Sequence, residues 1–158
     1  MNKFKIELKW AIIFTIMMIV WMYIEKLAGL HDKHIDLHPI FTNFIAIPAI
    51  IVYVFALIDK RNNYYNGVMT YMQGFISGLI LTLIVTIFSP LVQYLTSVYI
   101  TPDYFENVIN YSVNEGLMSQ AEAEDYFNLN SYLIQVLIGT PIMGIATTAI
   151  VAIFTRKK

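Results

Sequence analysis

The stretch that decides the fold of this chain is Gly74–Ile100, which reads GFISGLILTLIVTIFSPLVQYLTSVYI and contains no charged side chain. An α-helix rises about 1.5 Å per residue, so this stretch covers about 40 Å as a helix. The hydrocarbon core of a bilayer is only about 30 Å thick. The stretch therefore predicts a membrane-spanning helix that is tilted or kinked, with Pro90 inside it.

Three further apolar stretches are long enough to span a membrane, at about residues 10–30, 40–58 and 132–154. The uncharged run Trp10–Ile24 covers only about 22 Å, so the first helix is expected to continue through Glu25 and Lys26 to about Leu30. Together the four stretches predict an all-α polytopic membrane protein. We expect a four-transmembrane-helix bundle that forms one integral membrane domain over residues 1–158.

The composition agrees with a membrane protein and excludes several other classes. Hydrophobic residues make up 58% of the chain and charged residues 13%, whereas typical soluble domains have about 45–50% and about 25%. This excludes a soluble enzyme domain and a disordered chain, and the net charge of −1 gives no field that would attract nucleic acid. The chain has no cysteine, which excludes disulfides and thiolate metal sites.

The basic residues are distributed unevenly between the two ends of the predicted spans. Eight of the ten fall on one side, and the segment Thr101–Ser131 on the other side has no Lys or Arg. The eight are Lys3, Lys5, Lys9, Lys60, Arg61, Arg156, Lys157 and Lys158. Cytoplasmic loops of membrane proteins carry an excess of basic residues, so this pattern predicts that both termini are cytoplasmic.

The outer segment between spans three and four, residues 101–131, is predicted to be a short helical hairpin. Thr101 and Pro102 suggest the start of its first helix, which is expected to stop at Gly116. Ser119 and Glu122 have the spacing of a capping box and predict a second helix through about Phe127.

All three histidines of the chain lie close together just after the first span. His31, His34 and His38 would fall roughly on one face of a helix, and Glu25 precedes them as the one acid inside a predicted span. Imidazole and carboxylate groups are ligands for zinc, copper, nickel or iron, and acids within the membrane are functional candidates. The pattern therefore suggests a metal site formed by the three histidines. The alternative is a polar connection at the membrane surface.

Small residues recur along the third and fourth spans. Gly74 and Gly78 form a small-xxx-small motif, and Gly144 lies in a similar stripe of span four. Such residues allow two helix backbones to approach closely. We expect them to pack spans three and four together within the chain, and homodimerisation through the Gly74 face is the alternative.

Four short motifs in the second half of the chain carry a resemblance to a known family. They are TYMQGF at Thr70–Phe75, ITPDYF at Ile100–Phe105, GLMS at Gly116–Ser119 and TRKK at Thr155–Lys158. This half resembles domain-of-unknown-function family 4199, small four-span membrane proteins found mainly in Bacteroidota. The resemblance implies a bacterial inner-membrane protein of unknown activity and assigns no functional residues.

Two classes of function follow from these observations. The first is a non-enzymatic accessory or scaffold component of the inner membrane, in contact with the lipid bilayer and with another membrane protein or a second copy of itself. The second is a small transporter or metal-handling protein that uses His31, His34 and His38. The sparse polarity inside the spans favours the first. No enzymatic activity, no cofactor and no nucleic-acid partner is predicted.

Overall fold

A computed structural model describes residues 4–157 of this chain, and within that range the fold is all-α. Four helical stretches are long and apolar enough to cross a membrane: Lys5–Leu27, Ile35–Asn63, Tyr71–Ile100 and Leu129–Thr155. The α-helices are α1 (Lys5–Leu27), α2 (His38–Phe41), α3 (Ala46–Asn63), α4 (Tyr71–Leu95), α5 (Tyr104–Asn114), α6 (Gln120–Tyr126) and α7 (Leu129–Thr155). Short 3-10 turns at Ile35–Leu37 and Thr42–Ile45 flank α2, and a π-helical turn at Thr96–Ile100 extends α4.

The first span differs from the prediction at both of its ends. It begins at Lys5 rather than at about residue 10, and its helix ends at Leu27 rather than at about Leu30. Gly29 has a φ of +76°, a left-handed conformation that terminates a helix and that glycine adopts without a Cβ penalty. The chain therefore turns back directly above α1.

Side-chain hydrogen bonds stabilise the third span at its start and at Pro90, two places where backbone groups lack a partner within the helix. At its start, the Gln73 N–H donates to the Thr70 hydroxyl oxygen (3.3 Å), and the Thr70 N–H donates to the Gln73 side-chain oxygen (2.8 Å). Pro90 has no N–H for the carbonyl of Thr86. The Ser89 hydroxyl donates to that carbonyl instead, at 2.9 Å. This bond supplies the missing donor inside a helix that is long and apolar enough to cross a membrane.

The closest helix contact joins α4 and α7 through two reciprocal pairs of glycine and threonine. A Cβ at Gly78 would lie 2.3 Å from Cγ2 of Thr148, and a Cβ at Gly144 would lie 2.4 Å from Cγ2 of Thr82. Each glycine thus provides the space that the facing threonine fills. Gly74, in the same stripe, lies against Met69 and Ala152. The small-residue face of α4 is therefore occupied by residues of its own chain.

The basic end of the bundle brings together the start of α1, the connection between α3 and α4, and the end of α7. Met69 and Lys157 form an isolated antiparallel bridge, and the Arg61 guanidinium donates to the Thr155 carbonyl at 3.0 Å. Lys9 pairs with Asp59. Of the basic residues assigned to this side, Lys3 and Lys158 lie outside the described residues. The others gather at one end of the molecule.

The basic end also contains a buried ion pair that the sequence reading did not predict. Nζ of Lys60 lies 2.8 Å from Oε1 of Glu7, and both side chains are only 3% exposed. The Ser77 hydroxyl donates to the same Glu7 oxygen at 2.8 Å. The pair therefore joins α1, α3 and α4.

The outer segment contains two short helices, α5 and α6. Gly116 follows α5 with a φ of +68°, and the predicted capping box at the start of α6 is confirmed. The Ser119 N–H donates to the Glu122 carboxylate at 2.9 Å, and the hydrogen bonds from Ser119 hold the Glu122 pKa below its usual value. The predicted start of α5 at Thr101 is wrong. The Thr101 hydroxyl donates backwards to the Thr96 carbonyl (3.2 Å), and Asp103 is the N-cap.

Candidate metal centre

Three elements near the end of α1 place one side chain each in a common site. Glu25 lies in the last turn of α1, His31 lies in the turn that follows Gly29, and His38 is the first residue of α2. The turn is held to the helix end by hydrogen bonds from the Leu30 N–H to the Glu25 carbonyl (3.0 Å) and from the His34 N–H to the Gly29 carbonyl (2.8 Å). The reversal at Gly29 thus brings the histidines back over Glu25.

The Glu25 carboxylate faces both imidazoles through the same oxygen. Oε2 lies 3.2 Å from Nε2 of His31 and 3.5 Å from Nε2 of His38. One ligand atom from each of the three residues lies within 4.8 Å of the other two. Glu25 is 1% exposed and His31 is 7% exposed, whereas the His38 side chain is 18% exposed, so the site is buried except on the His38 side.

The second carboxylate oxygen of Glu25 is also used. The Trp21 indole N–H, one helical turn earlier on α1, donates to Oε1 at 2.6 Å. A hydrogen bond of this kind fixes the orientation of the carboxylate, and it leaves Oε2 directed at the imidazoles. The carboxylate is therefore oriented before any ligand arrives.

The three side chains match the ligand set of a zinc site, and the distances from the Glu25 carboxylate to the two imidazoles match its spacing. Zinc binds His nitrogen and carboxylate oxygen at about 2.0–2.2 Å, usually with tetrahedral geometry, which puts neighbouring ligand atoms about 3.3–3.4 Å apart. The two observed separations from Oε2, 3.2 and 3.5 Å, lie on either side of that value. The same separations also suit hydrogen bonds between an imidazole N–H and the carboxylate. Both arrangements use the same three residues.

A second layer of side chains from α5 and α7 surrounds the histidines. The Tyr104 hydroxyl lies 3.4 Å from Nδ1 of His38 and 3.3 Å from the Tyr132 hydroxyl. The Asn107 amide donates to the His31 carbonyl at 3.0 Å. Burial raises the pKa of Tyr104, so its phenol stays neutral and can both accept and donate a hydrogen bond.

A family described as "Protein of unknown function (DUF4199)" matches residues 9–157. The chain belongs to this family. The match extends the resemblance seen in the second half of the sequence to nearly the whole chain, including the first two spans and the histidine-bearing turn. No curated protein and no solved structure matches the chain significantly.

The structure brings only two of the three predicted ligands together. His31 and His38 converge on Glu25, whereas His34 is exposed and does not belong to the group of three ligands. The prediction assumed one helical face for all three histidines, but the turn after Gly29 directs His34 outward. Lys26, next to Glu25 in sequence, donates to the Ile100 carbonyl on the π-helical turn.

Four residues of this site were not predicted from the sequence: Trp21, Tyr104, Asn107 and Tyr132. Trp21 lies four residues before Glu25 on a helix, a spacing that does place two side chains side by side. Tyr104 lies in the ITPDYF motif of the family resemblance, but nothing local connects it with His38. Its contact arises only when α5 packs on the turn Ile35–Leu37.

A small cavity of about 120 Å³ lies between α1, α4 and α7 and reaches Met22, one turn before Glu25. Its wall includes the hydroxyl-bearing Thr96, whose Oγ1 is buried and has no hydrogen-bond partner among residues 4–157. Its wall also includes Val85, which belongs to the packed core with Leu57 and Leu81, each 1% exposed. The cavity is therefore bounded by a closely packed layer.

Proposed function

We propose that this protein binds a transition-metal ion, with zinc as the best match, at the outer end of its four-span bundle. The observation that carries the proposal is the convergence of Glu25, His31 and His38 on one point, at separations that suit tetrahedral coordination. Nitrogen and carboxylate ligands without a thiolate also suit copper, nickel and iron. The third ligand of the site is therefore Glu25, and not His34 as the histidine spacing suggests.

The proposed role is to hold the ion rather than to catalyse a reaction. A carboxylate that acts as a general base must reach its substrate, whereas Glu25 is 1% exposed and accepts a hydrogen bond from Trp21. Passage across the membrane is also disfavoured in this conformation, because the packed core lies beyond the cavity near Met22. A bound ion would instead stabilise the outer end of the bundle. That suits a non-enzymatic accessory protein.

We further propose that the chain lies in the bacterial inner membrane with both termini in the cytoplasm. The support is the gathering of basic residues at one end, where Arg61 contacts Thr155 and Met69 pairs with Lys157. The metal centre lies at the opposite end of α1 from Lys9 and would then face outward. Contact with another membrane protein, or with a second copy, belongs to the same proposal.

The decisive experiment is a zinc titration of the detergent-purified protein. Wild type is compared with a His31→Ala/His38→Ala double variant, with Glu25→Gln, and with His34→Ala as the matched control. We expect wild type and His34→Ala to bind one zinc ion with equal affinity. The double variant should lose binding, and Glu25→Gln, which keeps the shape of the side chain, should weaken it strongly because an anionic ligand is lost.

Fluorescence gives an independent signal in the same titration. Trp21 contacts the Glu25 carboxylate, whereas Trp10, the second tryptophan of the chain, contacts Asp59 at the basic end. In a Trp10→Phe background, zinc should change the emission of Trp21. Equal zinc affinity in wild type and in the folded double variant would contradict the proposed function, and it would leave Glu25, His31 and His38 as a hydrogen-bonded connection.

A further inference from the structure

The helix α5 touches the metal centre from outside, at two separate points. Its first residue, Tyr104, reaches Nδ1 of His38, and its fourth residue, Asn107, donates to the backbone carbonyl of His31. The main contacts of α5 are with α6 and with the turn Ile35–Leu37, which lies between the two histidines. The outer segment therefore rests on the part of the chain that carries the ligands.

We propose that Tyr104 is a positioning residue of the metal centre and that, with Asn107, it couples the occupancy of the centre to the docking of α5. This inference rests on the proposed function. A ligating histidine generally donates its other ring N–H to a fixed acceptor, which sets the tautomer and the ring orientation. The Tyr104 hydroxyl is the acceptor available to the second ring N–H of His38.

The geometry of His38 shows how Tyr104 would act. Nε2 faces the Glu25 carboxylate at 3.5 Å, and Nδ1 faces the Tyr104 hydroxyl at 3.4 Å. When Nδ1–H donates to the phenol oxygen, Nε2 carries the lone pair that a metal requires. The phenol proton can then be donated to the Tyr132 hydroxyl, which lies 3.3 Å away. In this arrangement, with the phenol proton directed to Tyr132, the three groups favour the ligating tautomer of His38.

The contact of Asn107 works on the backbone rather than on a ring. Its amide holds the His31 carbonyl at 3.0 Å, which ties the histidine turn to α5. Nδ1 of His31 is buried and has no hydrogen-bond partner among residues 4–157. α5 therefore holds His31 by a hydrogen bond to its main chain, whereas it holds His38 by a contact with its ring. A metal ion that fixes both imidazoles would also fix the surface on which α5 docks.

The test compares Tyr104→Phe with two matched variants. Tyr132→Phe removes the hydroxyl contact between the two tyrosines but leaves Tyr104 facing His38, and Tyr126→Phe removes an exposed phenol on α6. Loss of an outer-shell partner typically lowers metal affinity about 10–100-fold. We expect a decrease of that size in Tyr104→Phe, a smaller one in Tyr132→Phe and none in Tyr126→Phe.

Two readouts separate positioning from general stability. The visible spectrum of bound cobalt reports the geometry around the ion, and it should change in Tyr104→Phe but not in Tyr126→Phe. Amide hydrogen exchange across α5 should slow when zinc is added to wild type, and this slowing should be reduced in Asn107→Ala.

The outcomes distinguish this inference from the function on which it rests. No zinc binding by wild type would overturn both. Zinc binding by wild type, with unchanged affinity and cobalt spectrum in Tyr104→Phe and unchanged exchange in α5, would overturn the positioning and coupling proposal and leave the metal site standing.

Discussion

Replacing Gly78 by alanine tests the tightest packing in the molecule with a single added carbon. The new Cβ would lie 2.3 Å from Cγ2 and 2.6 Å from Oγ1 of Thr148. These distances are far shorter than ordinary carbon contacts of about 3.5–4.0 Å. Thr148 is fully buried, so the two helices must separate or the threonine must leave its rotamer.

The expected magnitude follows from two opposing effects. Overpacking typically costs about 1–3 kcal/mol. A Cβ placed 2.3 Å from a fully buried threonine puts this change in the upper part of that range, at about 2–3 kcal/mol, whereas alanine is better than glycine in a helix by about 1 kcal/mol. We therefore expect a net loss of about 1–2 kcal/mol in the free energy of unfolding. For a chain of this size that lowers Tm by roughly 2–8 °C. Gly78→Leu, with a branched side chain, should be worse.

The measurement is thermal unfolding of detergent-purified protein, with Gly139→Ala as the matched control. Gly139 lies in α7, the partner helix of α4, but a Cβ there would meet no heavy atom within 4 Å, so this variant should be as stable as wild type or slightly more stable. Adding Thr148→Ala to Gly78→Ala removes both clashing atoms. It also sacrifices no hydrogen bond among the described residues, because Oγ1 of Thr148 has no partner there. We expect it to restore most of the loss.

Either of two patterns of results would contradict this prediction. If Gly78→Ala and Gly139→Ala have the same Tm as wild type, the α4–α7 contact is not as close as the structure places it. If Gly78→Ala is destabilised but Thr148→Ala brings no recovery, the clash lies with some other group.

Two further predictions concern the basic end. Lys60→Met should destabilise the protein by about 3–5 kcal/mol, because it leaves the Glu7 carboxylate buried without its partner. Adding Glu7→Gln to this variant should recover much of the loss in Tm. Lys9→Met, which removes an exposed cation, is the control, and an equally mild effect of Lys60→Met would contradict the prediction. The chain has no cysteine, so a single cysteine can be introduced at the exposed positions Asn62 or Ala121 and treated with an impermeant thiol reagent in intact cells. We expect Ala121→Cys to be labelled and Asn62→Cys to be protected. Labelling of Asn62→Cys would contradict the proposed orientation.

The four spans could be predicted because their signal is local and strong. A run of apolar residues such as Gly74–Ile100 must form its backbone hydrogen bonds internally wherever it meets lipid, so its length alone indicates a helix. The capping box at Ser119 and Glu122 was predictable for the same reason, since both partners lie within one turn. The N-cap prediction at Thr101 is wrong because its hydroxyl can form either of two hydrogen bonds. As an N-cap it would accept from a backbone N–H of the following helix, but it donates to the Thr96 carbonyl instead, in the π-helical turn that precedes it.

The candidate site could be predicted only in part, because its geometry depends on the reversal of the chain direction at Gly29. The spacing of the histidines suggested one helical face, but Gly29 ends the helix before His31. Glu25 was identified as an unusual acid, and its contacts with both imidazoles follow only once the turn folds back. The Glu7–Lys60 pair was missed because charges were read as the limits of the spans. In the structure both side chains lie inside the bundle.

The two buried carboxylates of α1 show why the bundle and the proposed metal site should respond separately to mutation. Glu7 and Glu25 are eighteen residues apart, which is five helical turns and about 27 Å. They therefore lie on the same face of α1, close to the two limits of a hydrocarbon layer about 30 Å thick. Each is paired with cationic or imidazole groups from other elements, Lys60 at one end and His31 and His38 at the other.

Sites this far apart contribute nearly additively to stability when they share no partners. Loss of the histidines should then loosen the turn and α5, while the Glu7–Lys60 pair and the Gly78–Thr148 contact keep the four spans together. The proposed site could thus exchange an ion without unfolding of the four-span bundle. Such a separation suits the proposed binding role, because release of an ion would leave the Glu7–Lys60 pair and the α4–α7 contact intact.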